Sequence, residues 1–139
     1  EDLKAICTDL NVNDRVTFHG RVDDDELSRI YSSADVYLIP TTRYEGLPLA
    51  LLEAMSHGIP TISSDIGGNS DVITHGTDGL FIKPGDLSGL IEAIRRLESD
   101  PAERNAISEA ARATAERRFD KGRMVSETLE LLESLAGQA

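Results

Sequence analysis

Two glutamates eight positions apart, Glu45 and Glu53, are the residues of this sequence best suited to hold a ligand. Glu45 lies in a loop after an apolar run, and Glu53 lies within the helix predicted to follow. Between them, Gly46 allows close approach of a ligand, and the free N–H groups near Leu47 and Leu49, with the helix dipole, favour a phosphate. The Glu53 carboxylate can accept hydrogen bonds from two adjacent hydroxyls, such as those of a ribose. Taken alone, the pair also fits two surface glutamates.

The composition is that of a single acidic globular domain. The chain has 139 residues, of which 40% are hydrophobic and 28% are charged, and its formal net charge is −11. This charge disfavours nucleic acid and anionic lipid surfaces as partners. No apolar run approaches the roughly 20 residues that cross a bilayer. Because the chain opens at Glu1 without a methionine or a signal peptide, we expect it to be a fragment of a longer protein.

The single cysteine, Cys7, excludes an internal disulfide and suits a reducing compartment. Its apolar neighbours Leu3, Ile6 and Leu10 predict that it is a small buried hydrophobe. We therefore expect a cytoplasmic protein. Association with the inner face of the membrane could arise only through parts of the protein outside this chain.

The apolar pattern alternates strands with helices and then continues in helices alone, which predicts an α/β fold: a doubly wound parallel sheet with C-terminal helices. The run at 36–40 is expected to be a strand buried on both faces. Ligands of such sheets bind at the carboxyl ends of the strands, here near residues 18–22, 40–49 and 65–71. The predicted strands are 15–18, 36–40, 60–63 and 80–82; the predicted helices are 3–10, 24–33 and 48–56, followed by three more after residue 86.

Six segments follow one another in a pattern that resembles the retaining glycosyltransferases of family 4, also called glycosyl transferases group 1. They are FHGRV at 18–22, SADVYLIPT at 33–41, EGLPLALLEAM at 45–55, GIP at 58–60, SDIGG at 64–68 and GTDGLFIKPGD at 76–86. The resemblance spans roughly residues 10 to 125. It implies a GT-B fold, in which two Rossmann-like domains face each other across a cleft, and it identifies residues 1–139 as most of the C-terminal, donor-binding domain, truncated at its N-terminal side.

The resemblance also implies the activity: transfer of a hexose from a UDP-, GDP- or ADP-sugar to an unidentified acceptor, with retention of configuration and without a metal. It implies that Glu45 is the catalytic residue and orients the sugar, and that Glu53 binds the ribose. His19 fits equally a loop-end histidine without a ligand. The donor-binding residues implied by the motifs are His19, Gly20 and Val22 near the nucleobase, Gly46, Leu47, Pro48 and Leu49 around the sugar and diphosphate, and Glu53.

The sequence departs from the family pattern in two ways. The family's G-G-x-x-E is G-G-N-S-D here, so Asp71 replaces a glutamate. The first strands of the domain, with the loop whose Arg and Lys meet the diphosphate, are missing, as is the N-terminal acceptor domain. We therefore expect the fragment to be inactive alone.

Other interpretations stay open at this point. A non-catalytic nucleotide-sugar-binding subunit and a sugar-nucleotide epimerase of the same fold are the alternatives. Asp23, Asp24 and Asp25 formally contain a metal-binding D-x-D, but acidic residues also suit the helix start predicted there. The three histidines have no metal-ligand spacing.

Overall fold

The computed structural model describes residues 2–44 and 46–137. The chain divides into two compact units, with the division between Ile30 and Tyr31. The described residues form three strands, seven α-helices and one short 3-10 helix. The elements are α1 Leu3–Asp9, the 3-10 helix Asn13–Arg15, α2 Asp24–Ser33, β1 Tyr37–Ile39, α3 Leu49–Ser56, β2 Thr61–Ser64, α4 Asn69–Val72, β3 Leu80–Ile82, α5 Leu87–Ser99, α6 Pro101–Arg118 and α7 Lys121–Ala136.

In the first unit, the prediction of a strand over residues 15–18 is wrong. Arg15 ends the 3-10 helix, and Val16 is extended, with φ −124° and ψ 122°, but residues 16–18 belong to no strand. A strand requires a hydrogen-bonded neighbour, and the sheet of the described residues contains only β1, β2 and β3. Among the described residues, this run therefore forms no strand.

The sheet lies in the second unit and is parallel, as predicted. Its order is β1-β2-β3, with Tyr37 paired to Thr61 and Ile62 paired to Leu80. All four residues of the central strand β2 are buried. The edge strand β1 differs, because α5 packs mainly on β2 and β3, and Leu38 is 41% exposed. The expected burial of this strand on both faces is therefore wrong.

Helices pack on both faces of the sheet, which confirms the α/β class. α5 packs on β2 and β3, α3 packs on β1 and β2, and α6 packs against both α3 and α5. Two apolar clusters result. One contains Ile62, Leu80, Ile82, Leu97 and Ile107, and the other contains Leu51, Met55, Val72, Ile73, Ala111 and Ala115.

Local signals end these helices where the sequence indicates. After α3, His57 is the C-cap and Gly58 adopts φ +70°, which is the left-handed conformation that favours glycine. Asp100 ends α5 and also caps α6, since its carboxylate accepts a hydrogen bond from the Glu103 N–H at 2.9 Å. Among the described residues, no helix combines the length and the apolar character needed to cross a membrane.

Candidate functional site

The loop between β1 and α3 contains four of the nine predicted site residues. Thr41 Oγ1 donates to the Arg43 carbonyl at 3.2 Å and accepts from the Arg43 N–H at 3.1 Å, which closes a small turn just after β1. Glu45, the predicted catalytic residue, lies outside the described residues. Gly46 and Leu47 are exposed, whereas Pro48 is buried.

The Gly46 backbone lies against the turn that follows β2. A Cβ added to Gly68 would stand 2.0 Å from the Gly46 carbonyl oxygen and 3.2 Å from the Leu47 nitrogen. Gly68 has an ordinary φ of −65°, so the close approach, and not the backbone conformation, requires a glycine there. The neighbouring Gly67 is different, because its φ of +60° is left-handed. The backbones of the loops at the carboxyl ends of β1 and β2 are thus in close contact.

Helix α3 begins at this junction without a side-chain cap. Pro48 is the N-cap, with φ −80° and ψ 99°, so the helix begins at Leu49, one residue later than predicted. Its carbonyl accepts the N–H groups of Leu51 at 3.0 Å and Leu52 at 3.3 Å. The N–H groups of Leu49 and Ala50 are first-turn donors that an α-helix does not use internally. Together with the helix dipole, they can stabilise an anion.

Glu53 lies in the second turn of α3, and its side chain is exposed. Its Oε2 accepts a hydrogen bond from the Tyr31 hydroxyl at 3.3 Å. No hydrogen bond to its Oε1 occurs within residues 2–44 and 46–137. One carboxylate oxygen thus accepts a hydrogen bond from the protein, and the other remains able to accept hydrogen bonds from a ligand's hydroxyl groups.

Tyr31 is a residue of this site that the motifs do not reveal. It is 9% exposed, and its ring stacks on the His57 ring with centroids 5.2 Å apart. Burial is the main cause that raises its pKa to about 12, with smaller contributions from Tyr37, from the charge of Glu53 and from the hydrogen bond to Glu53. The phenol is therefore neutral and able to donate at physiological pH. Its spacing of four residues from Leu27 within α2 is the only signal in the sequence, and that spacing predicts burial alone.

The side chains of Leu47 and Leu49 contribute to an apolar groove. They line an apolar groove of about 550 Å³ together with Leu52, Phe119 and residues of α7. Leu47 is 52% exposed and Leu49 is 67% exposed. These two residues can therefore contact an anion through their backbone N–H groups and not through their side chains.

The predicted nucleobase loop lies in the first unit. Gly20 turns the chain with φ +67°, and Val22 is half-buried. His19 Nδ1 lies 3.8 Å from Glu26 Oε1, with both side chains nearly half exposed. The His19 ring is therefore accessible to solvent.

The acidic residues singled out by the sequence have structural contacts. Asp23 caps α2, because its Oδ1 accepts the Glu26 N–H at 2.8 Å, and Asp24 and Asp25 lie in the first turn of that helix. Asp71 lies in the first turn of α4 with an exposed side chain. Its carbonyl accepts from Arg118 Nη2 at 2.7 Å.

The end of β2 contains two buried polar atoms that the sequence does not predict. Ser64 Oγ and Asn69 Oδ1 are buried and have no hydrogen-bond partner among the described residues. The Asn69 amide itself donates to the Ser64 carbonyl at 3.2 Å, across the turn that contains Gly67 and Gly68. Buried polar atoms without partners are rare, so this edge of the sheet is more polar than the periodicity indicates.

Comparison with known proteins identifies the family of this chain. Residues 1–114 match the family model described as glycosyl transferases group 1. The chain is 32% identical to the amylovoran biosynthesis glycosyltransferase AmsK of Erwinia amylovora, over 96% of this chain and 34% of that protein. The chain therefore belongs to the glycosyl transferases group 1 family.

Solved structures support the same assignment, and the structural neighbours are glycosyltransferases of the GT-B fold. Sucrose-phosphate synthase from Thermosynechococcus elongatus superposes with a TM-score of 0.91 and 30% identity, over 99% of this chain and 34% of that one. Anabaena HepE in complex with UDP-glucose superposes with a TM-score of 0.88 and 27% identity, over 95% of this chain and 36% of that one. The chain thus spans about a third of the length of these proteins.

Proposed function

We propose that this chain is the nucleotide-sugar-binding, C-terminal domain of a glycosyltransferase that transfers a hexose from a nucleotide-diphosphate sugar with retention of configuration. The observation that carries this proposal is the exposed Glu53 carboxylate on α3, a helix that begins at the carboxyl end of a parallel sheet. Ligands of such sheets bind at this edge. The complex of the similar Anabaena protein with UDP-glucose supports a nucleotide sugar as the ligand.

Each part of the donor has a candidate partner. The diphosphate is placed at the first-turn N–H groups of Leu49 and Ala50, and the ribose hydroxyls at Glu53. Glu45 orients the transferred sugar, and the Gly46 backbone lies beside that sugar. As the bond to the sugar breaks, negative charge develops on the leaving diphosphate, and preorganised dipoles aimed at that charge lower the barrier. No metal is part of this proposal.

Other roles rest on the motifs and the composition. His19, Gly20 and Val22 are candidates for the nucleobase of a UDP-, GDP- or ADP-sugar. The acceptor is assigned to the N-terminal domain of the intact protein, and any contact with a membrane is assigned to that domain too. The free, buried thiol of Cys7 is in keeping with a cytoplasmic setting.

The proposal is tested with the full-length protein by calorimetric titration with UDP, GDP and ADP. We expect one of them to bind, and we expect Glu53→Gln to weaken that binding about tenfold or more, because hydrogen bonds to a charged group contribute about 1.5–3 kcal/mol. Glu98→Gln, on the exposed surface of α5, is the matched control and should leave the affinity unchanged.

Absence of binding by the wild-type protein to all three nucleotides would overturn the proposal. Retention is tested separately, by following the anomer that the enzyme first releases when water replaces the acceptor. The released sugar should have the configuration it has in the donor, and first release of the opposite anomer would contradict retention.

A further inference from the structure

Tyr31 is a buried phenol that the proposed reaction does not use, and it makes specific contacts with α3. Its hydroxyl lies 3.3 Å from Glu53 Oε2 and 3.5 Å from the Ala50 carbonyl oxygen. Ala50 and Glu53 are three residues apart, so both contacts fall on one face of the helix. Tyr31 therefore contacts α3 where the helix presents its exposed carboxylate.

The ring that carries this hydroxyl is held on two sides. It stacks on His57, the C-cap residue of α3, at an interplanar angle of 27°. It also contacts Tyr37 of β1, with centroids 6.2 Å apart and an angle of 59°. A ring packed in this way has little freedom to turn, so the position of its hydroxyl oxygen is fixed.

We propose that Tyr31 is a positioning residue that holds the Glu53 carboxylate in one orientation, with Oε1 presented to the adjacent ribose hydroxyls of the nucleotide. This inference rests on the proposed function. A free glutamate side chain must lose the freedom of three rotatable bonds when it binds a ligand. A hydrogen bond made before the ligand arrives removes part of that cost, which is the usual benefit of preorganisation.

The protonation state of the phenol fits this role. Burial raises the pKa of Tyr31 to about 12, with further contributions from Tyr37 and Glu53. The hydroxyl consequently keeps its proton at neutral pH and can donate a hydrogen bond there. A donor of this kind leaves the charge of the carboxylate in place for the ligand.

The test compares wild-type and Tyr31→Phe full-length protein, titrated with UDP, GDP and ADP and with the 2′,3′-dideoxy form of the nucleotide that binds. Phenylalanine keeps the stack on His57 and removes only the hydroxyl. We expect the substitution to weaken the ribonucleotide about three- to tenfold, the usual range for one hydrogen bond. The dideoxy nucleotide, which has no ribose hydroxyl for Glu53, should bind both proteins equally.

Each possible outcome of this test either supports or overturns the positioning role of Tyr31. A penalty at least threefold larger for the ribonucleotide than for the dideoxy nucleotide supports the positioning role. A smaller difference, including equal weakening of both ligands through a general loss of structure, overturns it while leaving the proposed function intact. Failure of the wild-type protein to bind any of the nucleotides overturns the proposed function and this inference together. A double variant with Glu53→Gln provides a second check, because Tyr31→Phe should then add no further penalty.

Discussion

Helices α6 and α7 are consecutive and of similar length, yet the structure buries residues of α6 and none of α7. α6 has 18 residues and buries Ile107, Ala111, Thr114 and Ala115, whereas α7 has 16 residues. The difference runs against composition, because α7 is the more apolar of the two helices.

The burial of α6 comes from what faces it. Its small residues Ala111 and Ala115 allow α3 to approach, and they share a cluster with Leu51 and Met55. Small side chains permit close helix contact, which large ones on the same face would prevent.

Hydrogen bonds also connect α6 to residues of the second unit that are distant in sequence. Ser108 Oγ donates to the Gly58 carbonyl at 2.5 Å, and Arg112 Nη2 donates to the His57 carbonyl at 2.9 Å. Both acceptors lie at the C-terminal end of α3. α6 thus supplies donors to the two carbonyls that directly follow the helix that bears Glu53.

The apolar side chains of α7 stay largely exposed, although some of them line the groove described above. Leu129, Leu132 and Leu135 are between 53% and 56% exposed. The hydrogen bond of Thr128 stays within the helix, where its Oγ1 donates to the Met124 carbonyl at 2.8 Å. An apolar stripe thus specifies one face of a helix, while the element opposite decides whether that face is buried.

The largest expected effect is that of Ile107→Ala on the free energy of unfolding. Ile107 is 2% exposed, and removal of a buried side chain of this size costs about 2–5 kcal/mol. Leu129→Ala removes as many carbon atoms from α7 and should cost less than about 0.5 kcal/mol. Urea unfolding followed by circular dichroism measures both. Equal costs for the two variants would contradict the contrast between the helices.

A smaller effect is expected from Thr114→Val. Thr114 Oγ1 donates to Asp78 Oδ2 at 2.8 Å, and both residues are buried. Loss of the donor leaves one carboxylate oxygen of Asp78 without that partner, although Oδ1 still accepts the Thr74 N–H at 2.6 Å. We expect a loss of about 1–3 kcal/mol.

The matched control for this variant is Thr128→Val on α7, which has the same change of atoms at an exposed position. Its effect should stay within about 0.5 kcal/mol. If Thr128→Val lowered the free energy of unfolding as much as Thr114→Val, the expected difference in stabilising contacts between α6 and α7 would be contradicted.

The smallest effect concerns the ion pair at the corner between α5 and α6. Arg96 Nε lies 2.9 Å from Glu103 Oε2, and the hydrogen bond from Arg96 lowers the pKa of Glu103 below its ordinary value. A lowered pKa in the folded state adds stability above the unfolded pKa, and this stability is lost as the pH falls through the folded pKa.

Glu103→Gln should therefore lower the free energy of unfolding by a few tenths of a kcal/mol at neutral pH, and less at acid pH or high salt. Both side chains are partly exposed, at 47% and 25%, which keeps the effect small. The measurement is the difference in unfolding midpoint between wild type and variant at neutral and acid pH. A difference that grows as the pH falls would contradict this sign.

Much of the secondary structure follows from local sequence. The pattern predicts a helix at 24–33 and a strand at 80–82, and both are confirmed with these bounds. The helix at 48–56 begins one residue later, because Pro48 is the cap. These elements depend on periodicity, caps and helix breakers within a few residues of each other, which a single sequence displays.

The sequence by itself determined the family motifs, the parallel sheet and the carboxylate at position 53. Only the tertiary structure decided which contacts surround them: the fit of Gly68 against Gly46, and the hydrogen bond from Tyr31 across 22 residues to Glu53. It also decided that residues 16–18 pair with no strand and that α7 keeps its apolar face exposed. The physical reason is that these outcomes depend on distant segments meeting in space, whereas propensities and caps act between neighbours along the chain.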